Sequence, residues 1–117
     1  MRAEDFRRAY REGQRVGGVL ANMYVRRTGL PVQRVGIAVS RKVGPAVSRN
    51  RLRRRLREAY RQLSVTETAG MDLVIVPRPA ALHAPFTALQ DSLRQMMMQA
   101  GLRSLPKAGQ RNEGELR

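Results

Sequence analysis

VGIAVSRKVGPAVSRNRLRRRLREAYR, residues 35–61, joins two different periodicities. Its opening residues alternate: Val35, Ile37 and Val39 fall on one side, Gly36 and Ala38 on the other. This predicts a strand over Gln33 to Ser40, one face of which is small enough for close approach. Gly44 then reads as a cap and Pro45 as the first helical residue. From there the apolar residues take helical spacing, and Leu52, Leu56, Ala59 and Leu63 form one stripe at about 100° per residue. A helix over about Pro45 to Leu63 follows, with its stripe available to a sheet. Arg49, Asn50, Arg53, Arg54, Arg57 and Arg61 gather on a broad adjoining face, and Arg51 and Arg55 flank the stripe on the other side.

Working outward, Ala3, Phe6, Ala9 and Tyr10 have helical spacing before Gly13, a short amphipathic helix. Val16 to Arg27 is β-prone and reads as one bent strand, or as two broken near Gly17 and Gly18, closed by the turn Thr28 to Pro31. Ser64 to Gly70 is a polar connection. MDLVIVP, Met71 to Pro77, is a continuous apolar run that predicts a strand buried on both faces, ended by Pro77 and Pro79. After a loop containing His83, Phe86, Leu89, Leu93, Met96, Met97 and Ala100 predict a helix over Ala84 to Leu102. No internal repeat is visible. The expectation is a two-layer α+β sandwich in the order α-β-β-(β)-α-β-α with a sheet of about four strands, forming one domain over 1–102, with a disordered tail over 103–117.

The chain has 117 residues, with 23 Lys+Arg against 9 Asp+Glu and a formal net charge of +14. A fold of this size buries about two thirds of the surface of its unfolded chain, enough for one modest core but not for deep multi-site clefts. Charge of one sign at this density repels itself and attracts polyanions, so composition points to nucleic acid, with an anionic membrane surface as the rival. Twenty-one of the cations are Arg; only Lys42 and Lys107 are Lys. A guanidinium forks onto phosphate and stacks on bases, where an ammonium acts as a point charge. Cys 0 excludes a disulfide, a thiolate nucleophile and a Cys-ligated metal. The N-terminus lacks the apolar run of a secretory signal, and no stretch approaches the ~20 apolar residues of a membrane span. The protein is therefore expected to be soluble, unprocessed and cytoplasmic.

Residues 41–61 hold nine cations against the single acid Glu58, so eight of the fourteen net charges sit in 21 residues. A solvated helix mixes signs so that i,i+4 pairs form, whereas a one-sign face is destabilising unless an anion meets it. A membrane-lying or calmodulin-binding helix is disfavoured, because the apolar stripe is narrow, lacks aromatic anchors and is needed by the sheet. SRKVG adds Arg41, Lys42 and backbone N–H groups at the positive end of the helix, an expected anion site. Nothing resembles the second helix of a helix-turn-helix. Structured RNA, recognised through shape and backbone, is the expected partner. His83 is the only histidine, Asp72 reads as a hydrogen-bonded strand residue, and Met96, Met97 and Met98 read as core filler and helix surface. No catalytic residue and no metal site is expected.

The same residues resemble a known family. KVGPAVSRNRLRRRLRE within the quoted stretch is similar to the signature K-[VI]-G-x-A-V-x-R-N-R-x-[KR]-R-x-x-R-[EQ] of the bacterial ribonuclease P protein subunit. EDFRRAYREG resembles that family's first helix, DLVIVPRPAA its last strand and turn, and PFTALQDSLRQMMMQAGL its final helix, so the resemblance spans residues 4–102. It implies a small basic partner of a catalytic RNA that uses Mg²⁺ to remove the 5′ leader of precursor tRNA, with no cofactor bound by the protein alone. It implies RNA contacts from Arg41, Lys42, Gly44, Ala46, Val47, Arg49, Asn50, Arg51, Arg53, Arg54 and Arg57, to which the helical face adds Arg61. A leader cleft is implied at Phe6, Tyr10 and Tyr24, floored by Val35, Ile37 and Val39. Also implied are a monomeric protein in a 1:1 complex with the RNA and a left-handed crossover around the arginine-rich helix, where topology alone favours the right-handed form in ~98% of cases. The alternative is a ribosomal or other structural RNA-binding protein, for which the aromatic cleft has no use. The chain departs from the family at Pro45, often Asn, and at Arg55, usually apolar.

Overall fold

The computed structural model describes residues 1–65, 70–101 and 104–106. Helix α1 (Ala3–Glu12) is followed by strands β1 (Gln14–Gly17), β2 (Ala21–Arg27) and β3 (Arg34–Ile37), helix α2 (Ala46–Arg61), strands β4 (Leu63–Val65) and β5 (Met71–Pro77), helix α3 (Phe86–Gln99) and strand β6 (Ser104–Pro106). β1, β2, β5 and β3 form one sheet in that order. The β1/β2 and β2/β5 pairs are antiparallel, whereas β3 and β5 run parallel, with Val35 opposite Leu73 and Ile37 opposite Ile75. The fold is thus the expected α+β class, built on a four-stranded sheet and three helices.

Alternation assigns the two faces. Ala21, Met23 and Val25 of β2, Met71, Leu73 and Ile75 of β5, and Ile37 of β3 are buried together with Leu52, Leu56 and Ala59 of α2 and Leu89, Leu93, Met96 and Met97 of α3. The stripe read from the sequence is therefore the seam between α2 and the sheet, and Leu63 of β4 extends it. The opposite face carries Gly36, Asp72, Val74 and Tyr24, and α1 lies on it. Ala9 and Val74 are fully buried there, outside the main core. Gly36 permits this approach, since a Cβ at that position would stand 2.6 Å from Cζ of Phe6. At the other end of the chain, Gly101 adopts φ +83° just past α3 and donates its N–H to the Met98 carbonyl, the left-handed ending that glycine favours.

The β-prone stretch 16–27 belongs to two strands broken after Gly17, the second of its two expected forms. Several boundaries differ from expectation. β3 ends at Ile37 because Ser40 opens a 3₁₀ turn over Arg41–Val43, its Oγ accepting from the Lys42 N–H at 3.2 Å. Pro45 is the N-cap of α2 rather than its first helical residue, since its ψ of 163° is extended. The loop around His83 is a 3₁₀ turn over Pro79–His83. Leu63–Val65, assigned to helix end and connection, pairs antiparallel with Ser104–Pro106. The rest of the predicted tail lies outside the described residues.

Candidate nucleic-acid interface

α2 is held by its stripe, which leaves its arginines to two kinds of surroundings. Arg49, half-buried, donates from Nε to the Gly44 carbonyl at 3.1 Å and ties the first turns of the helix to the preceding loop. Arg53 donates to Oδ1 of Asn50 at 2.8 Å, and Arg61 pairs with Glu58. Arg55 turns to the other flank and donates to the Ala84 carbonyl. Arg51, Arg54 and Arg57, with Arg41 and Lys42 upstream, have exposed side chains that make no hydrogen bond or ion pair to any described residue. These five cations form the solvent side of a face whose sole acid is already taken by Arg61 and Gln62.

The loop before α2 is less open than expected. The N–H groups of Lys42 and Val43 both bond to Ser40, so only part of the SRKVG backbone faces outward. Gly44 is half-buried against Leu82, whereas Ala46 and Val47 are exposed at the helix start, Val47 to 81%.

The cleft lies where α1, the end of β3 and α2 meet. A groove of about 440 Å³ is lined by Tyr10, Ile37, Ala38, Val39, Ser40, Val76 and Arg53. Tyr10 stands edge-on to Tyr24, ring centres 5.0 Å apart at 78°, and partial burial, followed by Tyr24, raises its phenol pKa above the ordinary value. Of the predicted cleft residues, Tyr10, Ile37 and Val39 are brought together there, while Tyr24 braces the Tyr10 ring from below. Phe6 and Val35 are not part of it. Phe6 occupies the hollow over Gly36, and Val35 packs against the core on the far face. Sequence reasoning missed Ser40, Val76 and the inclusion of Arg53. Strand alternation pointed to Ala38 and Val76, since both belong to the face opposite Ile37 and Ile75, the one on which α1 lies and Tyr10 stands.

A charge network fixes α1 beside this groove. Asp72, fully buried, accepts from Nε and Nη2 of Arg34 at 2.7 and 2.8 Å and from Arg26 at 3.4 Å. Arg34 also reaches Asp5 of α1 at 3.2 Å, so one guanidinium ties sheet to helix. Asp72 foremost, then Asp5, holds the Arg34 guanidinium above its ordinary pKa. The Asp5 carboxyl lies below its own, through the Arg2 backbone N–H and then Arg34. An acid inside MDLVIVP was the available signal, because a buried carboxylate demands partners.

Similarity searches decide the family. The Ribonuclease P family model matches residues 1–101. The chain belongs to the ribonuclease P protein family. It is 43% identical over 106 residues to the ribonuclease P protein component of Chloroflexus aurantiacus, covering 90% of this chain and 78% of that protein. Over 98 residues it is 36% identical to that of a Thermoanaerobacter species, covering 84% of each. Among solved structures, the Staphylococcus aureus RNase P protein aligns with TM-score 0.73 at 27% identity over 86% of this chain and 92% of that one. The Thermotoga maritima RNase P protein aligns with TM-score 0.73 at 27% identity over 85% and 94%. This family member is thus a protein subunit of ribonuclease P, the tRNA-processing nuclease, and its partners are the ribonuclease P RNA and precursor tRNA. Among the described residues no group of three or more His, Asp or Glu could hold a metal ion, and no helix is long and apolar enough to cross a membrane.

Proposed function

We infer that α2 and the turn before it bind the backbone of the catalytic RNA through Arg41, Lys42, Arg51, Arg54 and Arg57, and that the Tyr10 groove receives the single-stranded 5′ leader of precursor tRNA. One observation carries this reading: Arg53 belongs to the arginine helix and also lines the aromatic groove, so a strand lying in the groove runs directly beside the RNA-binding face. Stacking of bases on the exposed Tyr10 ring is tolerant of sequence, which suits a leader of any composition. The protein's work is to bind and orient, neutralising phosphates where two RNAs meet. Mg²⁺-dependent hydrolysis of the phosphodiester is assigned to the RNA, since the sole acid of the arginine face, Glu58, is held by Arg61 and Gln62 and offers no metal site. The complex is taken as one protein to one RNA, in the cytoplasm.

The test mixes purified protein with transcribed ribonuclease P RNA and a precursor tRNA at low Mg²⁺, beside each component alone. The protein should stimulate cleavage by the RNA, most strongly at low salt, and should cut nothing by itself. Metal-dependent cleavage by rigorously RNA-free protein would overturn the reading.

A further inference from the structure

The arginine helix has a second cationic flank, turned towards the 3₁₀ turn Pro79–His83. Ser48, Arg51 and Arg55 stand at i, i+3 and i+7 on one side of α2, and Leu82 and His83 face them across a small cavity of about 100 Å³. A cavity of this size admits a group as large as a phosphoryl. No acidic residue lines it. Arg55 is half-buried, and its bond to the Ala84 carbonyl commits one Nη2 hydrogen and fixes the guanidinium plane. The remaining donors of the fork stay available, an arrangement suited to a tetrahedral oxyanion. Arg51 is exposed and without a partner among the described residues, the Ser48 hydroxyl can donate, and His83 supplies a ring nitrogen from the opposite wall.

We propose that Ser48, Arg51, Arg55 and His83 form a subsite for a single backbone phosphate of the ribonuclease P RNA, so that RNA holds α2 on both flanks of its buried stripe. The proposal rests on the assignment of α2 to RNA binding. The position of Arg55 sharpens it: an arginine on the flank of the apolar stripe loses hydration in exchange for one carbonyl, and a bound phosphate satisfies the rest of its fork.

Two variants test this without relying on one fold outcome. Arg55→Leu removes the fork and restores an apolar flank. Ser48→Glu leaves the Arg55 bond intact and adds a carboxylate in the first turn of α2, where the helix dipole favours it, yet the carboxylate occupies or repels the phosphate position. Binding to transcribed ribonuclease P RNA is measured across a salt series, with Arg94→Leu and Gln95→Glu on α3 as charge-matched controls and circular dichroism on every variant. Both test variants should bind at least about five-fold more weakly than their controls, and Arg55→Leu should reduce the log–log salt slope by roughly 0.7–0.9, one phosphate contact. Should Arg55→Leu fail to fold, Ser48→Glu decides. If the wild type binds the RNA and the folded variants match their controls, the subsite is wrong while the α2 reading stands. If the wild type does not bind at all, that reading falls and the subsite falls with it.

Discussion

Helices α1 and α2 are both rich in arginine, yet they use it in opposite ways. On α1, Arg7 and Arg8 share Glu4, Arg11 meets Glu12, and Asp5 takes Arg34 from the sheet. On α2, Arg51, Arg54 and Arg57 face solvent with no partner among the described residues. Exposed pairs such as those of α1 are worth little individually. What they do collectively is cancel charge, so α1 can dock by its aromatic and small residues and be fixed by one buried carboxylate. The uncancelled charge of α2 is a standing cost to the folded protein. The contrast separates arginines that serve the fold from arginines kept for an anion outside it.

The largest expected effect lies on the structural side. Asp72→Ala strands Arg26 and Arg34 and should cost about 3 kcal/mol, at the low end for a broken buried pair because both guanidiniums keep some water. Denaturant unfolding measures it, and a loss under about 1 kcal/mol would show that the network is ornamental. On the other helix, Arg54→Ala with Arg57→Ala should leave stability unchanged or raised while lowering the salt slope of RNA binding by roughly 1.4–1.8. Arg7→Ala with Arg8→Ala removes equal charge from α1 and should barely change that slope. Equal slopes would erase the distinction between the helices.

The groove between them should respond in a third way. Tyr10→Ala should reduce the preference for precursor over mature tRNA by about 1–3 kcal/mol, the value of one stacked base. Phe6→Ala should lower stability first, because its ring fills the hollow over Gly36 rather than the groove. The smallest effect is acidic. The Asp5 carboxyl has its pKa depressed in the folded state, so its stabilisation is present above the unfolded value of about 3.9 and is lost as pH falls through the folded value. Acid titration followed by tyrosine fluorescence should therefore report loosening of α1 below about pH 4, and Asp5→Asn should flatten that portion of the curve.

The sequence was most legible where one period ran long enough to be counted. The stripe Leu52, Leu56, Ala59 and the run Met71 to Pro77 fixed α2 and β5 almost to their ends, and alternation across Val35 to Val39 gave the correct faces of β3. It was silent where partners are far apart in the chain. Asp72 meets arginines 38 and 46 residues away, and no local pattern marks such a pairing. Three-residue strands such as β4 and β6 carry too few residues to show a period. The cleft was half legible: alternation divided the strand into faces but could not show how far along them α1 would lie, and so Phe6 was expected in the groove that Tyr10 lines.

The parallel pairing of β3 with β5 has a kinetic consequence. Val35 and Leu73 can meet only after the 37 residues between them, α2 included, have been drawn into a closed loop, and such distant contacts are late and slow events in folding. The helix inside that loop is the one whose own charges resist its formation. A polyanion that quiets those charges should assist assembly of the sheet's centre, an effect of RNA on the order of folding events that refolding kinetics can test. Refolding should accelerate in sulfate over chloride at matched ionic strength, and Arg54→Ala with Arg57→Ala should shrink that acceleration.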